Sequence, residues 1–199
     1  MGYYSADGKQ NGLGTSEVTK VYTSGDSTIA ALSSTYTDLK SSKTHASEMR
    51  IICVNGLLVV DMNAAVNAAN PGGDFKMVCT GNLVGYKQSY AVGEKLDSIN
   101  MVMDMYSKGS LMLTTKVRVY DRVVESYENL TTEAGIFKCY KISYHSAGVV
   151  TMRGKEMPPN KATKSVMYYC PKLGMVRMET YGADDKLFSY SQLLELKKS

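Results

Sequence analysis

Between residues 165 and 196 the chain runs through three apolar stretches separated by two turn signals, and this pattern constrains the fold more than any other. The first stretch, Ser165-Val166-Met167-Tyr168-Tyr169-Cys170, is closed by Pro171-Lys172-Leu173-Gly174. In that turn Pro presets φ and Gly accepts a positive one. The second stretch places Val176, Met178 and Thr180 on one face and Arg177 and Glu179 on the other. After Gly182-Ala183-Asp184-Asp185-Lys186, the third places Phe188, Tyr190, Leu194 and Leu196 on one face. A period of two belongs to strands with one wet and one dry side, and no helix can bury it. The C-terminal fifth is therefore expected to be a three-stranded antiparallel meander.

The same signals recur upstream. Residues 17–23 and 27–37 read as a hairpin around Ser24-Gly25-Asp26, and residues 48–54 and 57–62 flank Asn55-Gly56. Asn-Gly between two apolar runs is a strong hairpin signal, because both central residues of the turn need φ > 0. Further strands are expected over 75–83, 101–106, 111–124, 137–144 and 149–153, with a loop at Met157-Pro158-Pro159-Asn160-Lys161 because proline cannot donate to a ladder. Tyr3-Tyr4 before Asp7-Gly8 reads as the tail of a first strand, trimmed at its start. Residues 38–46 read as polar turn. One helix is expected near 62–70, where Met62, Ala65, Val66 and Ala69 form one stripe and Pro71-Gly72-Gly73 ends it. At about two turns it needs a sheet to dock on. About ten strands at hairpin spacing predict a mainly β fold in one domain, 1–199: a single strongly curved antiparallel meander, a half-barrel wrapped around the helix. A closed barrel is the alternative.

Composition removes several functions. The net charge of +4, from 23 basic and 19 acidic residues, gives no electrostatic footprint for nucleic acid. The most apolar stretch, residues 51–69, is interrupted by Asn55, Gly56, Asp61, Asn63 and Asn67, so it is no transmembrane segment. Met1-Gly2 leads into strand-like sequence with no signal peptide. Cys53, Cys79, Cys139 and Cys170 lack the close spacing of a zinc or redox motif and read as buried small hydrophobes. A disulfide in an oxidising compartment stays open, but its connectivity cannot be read from spacing.

No catalytic constellation emerges. His45 falls in a polar turn, His145 follows an expected strand end, and Asp184-Asp185 is ordinary turn chemistry. The chain is expected to be non-catalytic, with no cofactor and no metal. One cluster stands out. Met101, Met103 and Met105 alternate along a strand, so three thioethers share a face at about 6.6 Å intervals. Met112, after the following turn, is expected to join them across a hairpin. These four residues form the candidate ligand-binding set. They read as a soft core lid, an adaptable apolar surface, or a Cu(I) thioether site that lacks a neighbouring His or Cys.

Three stretches resemble a known family. Thr131-Thr132-Glu133-Ala134-Gly135-Ile136-Phe137-Lys138-Cys139 resembles a Thr-Pro-Ala-Gly-x-Phe-x-Cys signature, with Glu133 in place of Pro. Tyr169-Cys170-Pro171-Lys172-Leu173-Gly174-Met175-Val176-Arg177 resembles an aromatic strand followed by a Gly-Leu-Val-Arg hairpin. Ile52-Cys53-Val54-Asn55-Gly56, leading to Asp61-Met62, resembles a Cys-x-x-Gly hairpin. Together they are similar to the TapB-like envelope proteins, whose fold is like that of the lipoprotein carriers LolA and LolB. The resemblance implies a periplasmic or outer-membrane-associated location in a Gram-negative cell. It implies no established activity. With the Met face, the likeness to lipoprotein carriers makes a lipid the expected partner, and another envelope protein is the alternative. The expected function is a cell-envelope domain with an apolar, lipid-like ligand in a concave groove. The alternative is an assembly protein that pairs through an edge strand or an exposed patch.

Overall fold

The computed structural model describes residues 1–61, 75–81, 85–158, 162–171 and 173–197. Among these residues fifteen strands form one antiparallel sheet. In chain order they are β1 (Gly2–Ser5), β2 (Gln10–Ser24), β3 (Ser27–Asp38), β4 (Thr44–Val54), β5 (Leu57–Asp61), β6 (Phe75–Gly81), β7 (Gly85–Lys87), β8 (Lys95–Leu96), β9 (Ile99–Ser107), β10 (Ser110–Thr132), β11 (Gly135–Met152), β12 (Lys155–Glu156), β13 (Thr163–Cys170), β14 (Gly174–Tyr181) and β15 (Leu187–Gln192). Across the sheet the order is β6-β9-β10-β11-β13-β14-β15-β1-β2-β3-β4-β5-β7, with β12 beside β11 and β8 beside β10. Among the described residues there is no helix. The helix expected near 62–70 lies outside them.

The mainly β meander holds, with more and longer strands than expected. The C-terminal hairpins pair as expected, β13 with β14 and β14 with β15, but a β-bulge at Val176 turns Val176 and Met178 to opposite faces, not the shared one expected, and β15 stops at Gln192, short of Leu194 and Leu196. β1 is a strand in its own right, paired to β15 on one side and β2 on the other. The stretches 137–144 and 149–153 are one strand, β11, because residues 140–146 pair with β13 while the whole length pairs with β10. His145 is therefore mid-strand, and His45 lies in β4 opposite Tyr36, not in a turn. The Asn55-Gly56 turn has φ 50° and 75°, the mirror-image turn geometry that matches the twist of a hairpin.

The sheet is open but rolled. Laid flat, the twelve steps from β6 to β7 would span about 58 Å at about 4.8 Å per step. Yet Gly81 ends β6 and Gly85 begins β7, a link that reaches at most about 14 Å. The two ends of the order are brought side by side without pairing among the described residues. A second contact requires the same shape. Tyr86 on β7 stacks on Tyr169 on β13 at 5.1 Å, although eight strand steps separate them along the sheet.

Two apolar clusters lie on opposite faces of β13, which is buried on both sides. The inner cluster joins Val124, Tyr140, Ile142, Met167 and Tyr169 to Tyr90. The outer cluster joins Cys139, Val166, Tyr168 and Val176, with Leu130 and Phe137 from the tip of the β10–β11 hairpin packed against it. Glu133, where the resembled signature has proline, sits at that tip and accepts from Tyr4 Oη and Gln192 Nε2, each at 3.5 Å.

Candidate functional site

Which way the methionines of β9 face follows from register. Met101, Met103 and Met105 stand opposite Val117, Thr115 and Leu113 of β10. Those residues stand opposite Gly148, Val150 and Met152 of β11. The even positions of β11 include Tyr140 and Ile142, which belong to the inner cluster. The thioethers therefore line the inside of the roll, while Lys116 and Arg118 point outward and are exposed. On the other side of β9, Met77 stands opposite Met105 and Cys79 opposite Met103. Met101, Met103 and Met105 are half-buried, as are Met77 and Cys79.

Met112 sits apart from this row. It is the extra residue of a β-bulge, so Leu113 and not Met112 is the partner of Met105. Its carbonyl accepts from Arg153 N at 3.1 Å. Sequence reading missed Met77 and Cys79, because β6 and β9 are not consecutive strands. Burial pushes the Cys79 thiol up, so a soft cation would have to displace a firmly held proton there.

The opposite wall of the roll is also apolar. Leu32 faces Met49, and Ala30, Ile51 and Val60 form one row across β3, β4 and β5. Val18 and Val21 of β2 oppose Leu32 and Ala30 on the same inner face. They are 55 % and 60 % exposed. Leu58 leads across to Tyr86, whose ring reaches the inner cluster.

A polar centre divides the two walls. Asp121 adopts φ 51° at a bulge in β10, and the next residue, Arg122, pairs with Leu96 of β8. Arg122 is 8 % exposed, and its guanidinium donates to the Asp97 carbonyl at 2.9 Å. Burial pushes Tyr86 up to about 12, with the nearby Tyr144 adding to it and the Arg122 charge acting against it. Burial likewise raises Tyr144, which donates to Met178 Sδ at 3.2 Å. Tyr90 Oη accepts from Lys87 N at 2.8 Å and fixes the segment that crosses the inside. The buried Tyr169 hydroxyl has no partner among the described residues.

A cavity of about 200 Å³ opens on the β1–β4 part of the roll, lined by Tyr3, Ser16, Ser34, Tyr36, Ser47 and Met49 among others. Tyr3 and Tyr36 meet edge to face at 5.2 Å. This space is smaller than the roughly 300–1,000 Å³ usual for ligand pockets and lies away from the β9 row.

The other candidates stay scattered. His145 Nδ1 is 3.9 Å from the exposed Asp121 carboxylate, and its ring stacks on Tyr120 at 5.7 Å. Asp184 accepts from Lys186 N and pairs with its ammonium at 3.1 Å, which holds its carboxyl below the usual range. Among the described residues no three His, Cys, Asp or Glu are placed to share a metal ion, and no helix is long and apolar enough to cross a membrane.

Residues 1–193 match the model of the DUF3108-like family. The chain belongs to the DUF3108-like family. Two solved structures share the fold of this DUF3108-like chain. One is a Bacteroides fragilis protein assigned as exported and of YmcC-like fold, with 24 % identity, a TM-score of 0.71, and coverage of 99 % of this chain and 93 % of that one. The other is a Parabacteroides distasonis protein assigned as a lipoprotein, with 24 % identity, a TM-score of 0.75, and coverage of 98 % and 92 %. At this identity the likeness is one of fold, and neither description attaches an activity. No curated protein matches the DUF3108-like chain.

Proposed function

We propose that this DUF3108-like chain is a non-catalytic domain of the Gram-negative cell envelope that holds an apolar, acyl-like ligand along the inside of its rolled sheet. Met101, Met103 and Met105 form the contact row, and Met77 extends it. The observation that carries this reading is the inner face itself. Thioethers, valines and leucines line both walls of a roll of many strands, and they are left half-exposed. A barrel of about eight strands can be filled by its own side chains, while wider ones enclose ligands or channels. Methionine suits a surface that must fit a flexible chain, because it is unbranched and polarisable. The resemblance to TapB-like proteins and LolA/LolB-type carriers supports an apolar cargo. The two neighbours assigned as exported and as a lipoprotein support a periplasmic or outer-membrane-associated location.

The test is titration of the purified chain with a fluorescent long-chain fatty acid, for the natural protein and for Met103→Lys. A charge placed on the inner face is expected to weaken binding at least tenfold, about 1.4 kcal/mol, while the circular dichroism spectrum is kept. Equal affinity in the two proteins, or no binding by the natural one, refutes the proposal.

A further inference from the structure

Cys139 and Cys170 are 31 positions apart in sequence, and nothing in their spacing links them. The sheet brings them together. β11 and β13 run antiparallel with Tyr140 opposite Tyr169, and continuing that register by one step sets Cys139 across from Cys170. Both side chains belong to the outer cluster, where Cys139 is fully buried and Cys170 packs against it. Directly opposed residues in an antiparallel pair have Cα atoms about 4.5–5.5 Å apart. That separation lies inside the window of about 4.4–6.8 Å that a disulfide requires. Cys53 on β4 and Cys79 on β6 are not opposed to either of them.

We propose that Cys139 and Cys170 form a cross-strand disulfide once the protein is outside the cytoplasm. The location in this statement rests on the envelope reading above; the pairing rests on strand register alone. Burial and the neighbouring Cys170 push the Cys139 thiol up to about 12, so Cys139 is a poor initiating nucleophile. Cys170 is half-exposed, just before Pro171. The Cys170 thiolate attacks a disulfide oxidant of the compartment, releasing one thiol of that oxidant and leaving a mixed disulfide on Cys170. Cys139 then gives up its proton and attacks Cys170 Sγ, expelling the second oxidant thiol. Two protein thiols lose two protons and two electrons, and one oxidant disulfide becomes two thiols. The new bond ties the strand leading from the β10–β11 hairpin tip, which covers the outer cluster, to β13.

The experiment is oxidation of the reduced, full-length chain with glutathione disulfide, followed by intact mass measurement and a non-reducing digest. The expected product is about 2 Da lighter, with the peptide containing Cys139 linked to that containing Cys170. Its Tm should rise about 5–10 °C over the reduced form, from a closed loop of about 30 residues. Cys170→Ser should leave the Cys139 thiol free in the same mixture, and Cys53→Ser should change nothing. A lasting glutathione adduct on Cys170 with Cys139 still reduced, or a link to Cys53 or Cys79, overturns the pairing. A second arm quenches the protein from its own cells with acid and alkylates it. If the bond forms in vitro but both thiols are free in the cell, the envelope location is overturned and the register-based pairing stands.

Discussion

Replacement of Gly56 by valine isolates one term of the fold. Gly56 follows Asn55 in the turn between β4 and β5, at φ 75°. A Cβ built there has no heavy atom of the described residues within 4 Å, so the added carbon itself meets no steric obstacle among them. The whole cost of Gly56→Val is then conformational, from holding an L-residue in the left-handed region. That is about 1–2 kcal/mol, and branching at Cβ favours the upper end. In a chain of this size it corresponds to a fall in Tm of about 2–8 °C. Urea denaturation is the assay, and the slope should be unchanged, because the surface exposed on unfolding is the same. Gly56→Ala should fall between the natural protein and the valine variant. The turn also sets the register that turns Ile51, Cys53, Leu58 and Val60 inward, and a slip of one residue would turn all four outward. An unchanged midpoint would refute the left-handed geometry. A loss well above about 3 kcal/mol would refute the open surroundings.

Three further outcomes follow from buried groups. Ile142→Ala removes a fully buried side chain from the inner cluster and should cost about 2–5 kcal/mol by urea denaturation; a loss under about 1 kcal/mol would contradict its placement. Tyr169→Phe removes a buried hydroxyl that has no partner among the described residues, so it should be neutral or stabilise by about 1 kcal/mol, and clear destabilisation would show a bond to that oxygen. Burial pushes Tyr86 and Tyr181 up to about 12, with a hydrogen bond to Glu179 adding to the effect at Tyr181. The unfolded chain releases these protons near pH 10, before the folded one. The stability they contribute is therefore complete below about pH 10 and is lost as pH rises toward about 12. The urea midpoint should fall across that window in step with phenolate absorbance, and a flat midpoint would contradict the burial of these rings.

What could be read from sequence was local. Asn55-Gly56 announces its turn because few residue pairs tolerate two positive φ values in succession. The shared face of Met101, Met103 and Met105 needs only the two-residue period of one strand. What surrounds that face needs pairings made far along the chain. Cys79 meets Met103, and Cys139 meets Cys170, only after the sheet order is known. The middle of β11, Tyr144-His145-Ser146-Ala147-Gly148, has no apolar alternation, and it is extended because the β10 ladder runs along it and the β13 ladder holds it as far as Ser146. Gly85-Tyr86-Lys87 and the turn at Val92-Gly93 look like loop, yet Tyr86 and Tyr90 fill the inside of the roll. Propensity gave no warning there, since tertiary packing decides such short strands.

The most direct test of the inner face as an acyl-binding surface is native mass spectrometry. The protein would be purified from its own cell envelope and weighed before and after organic extraction. A removable mass of lipid size, lost from Met103→Lys, is the predicted result. An unliganded mass in both samples, from protein that also takes up no fatty acid in solution, would contradict the account.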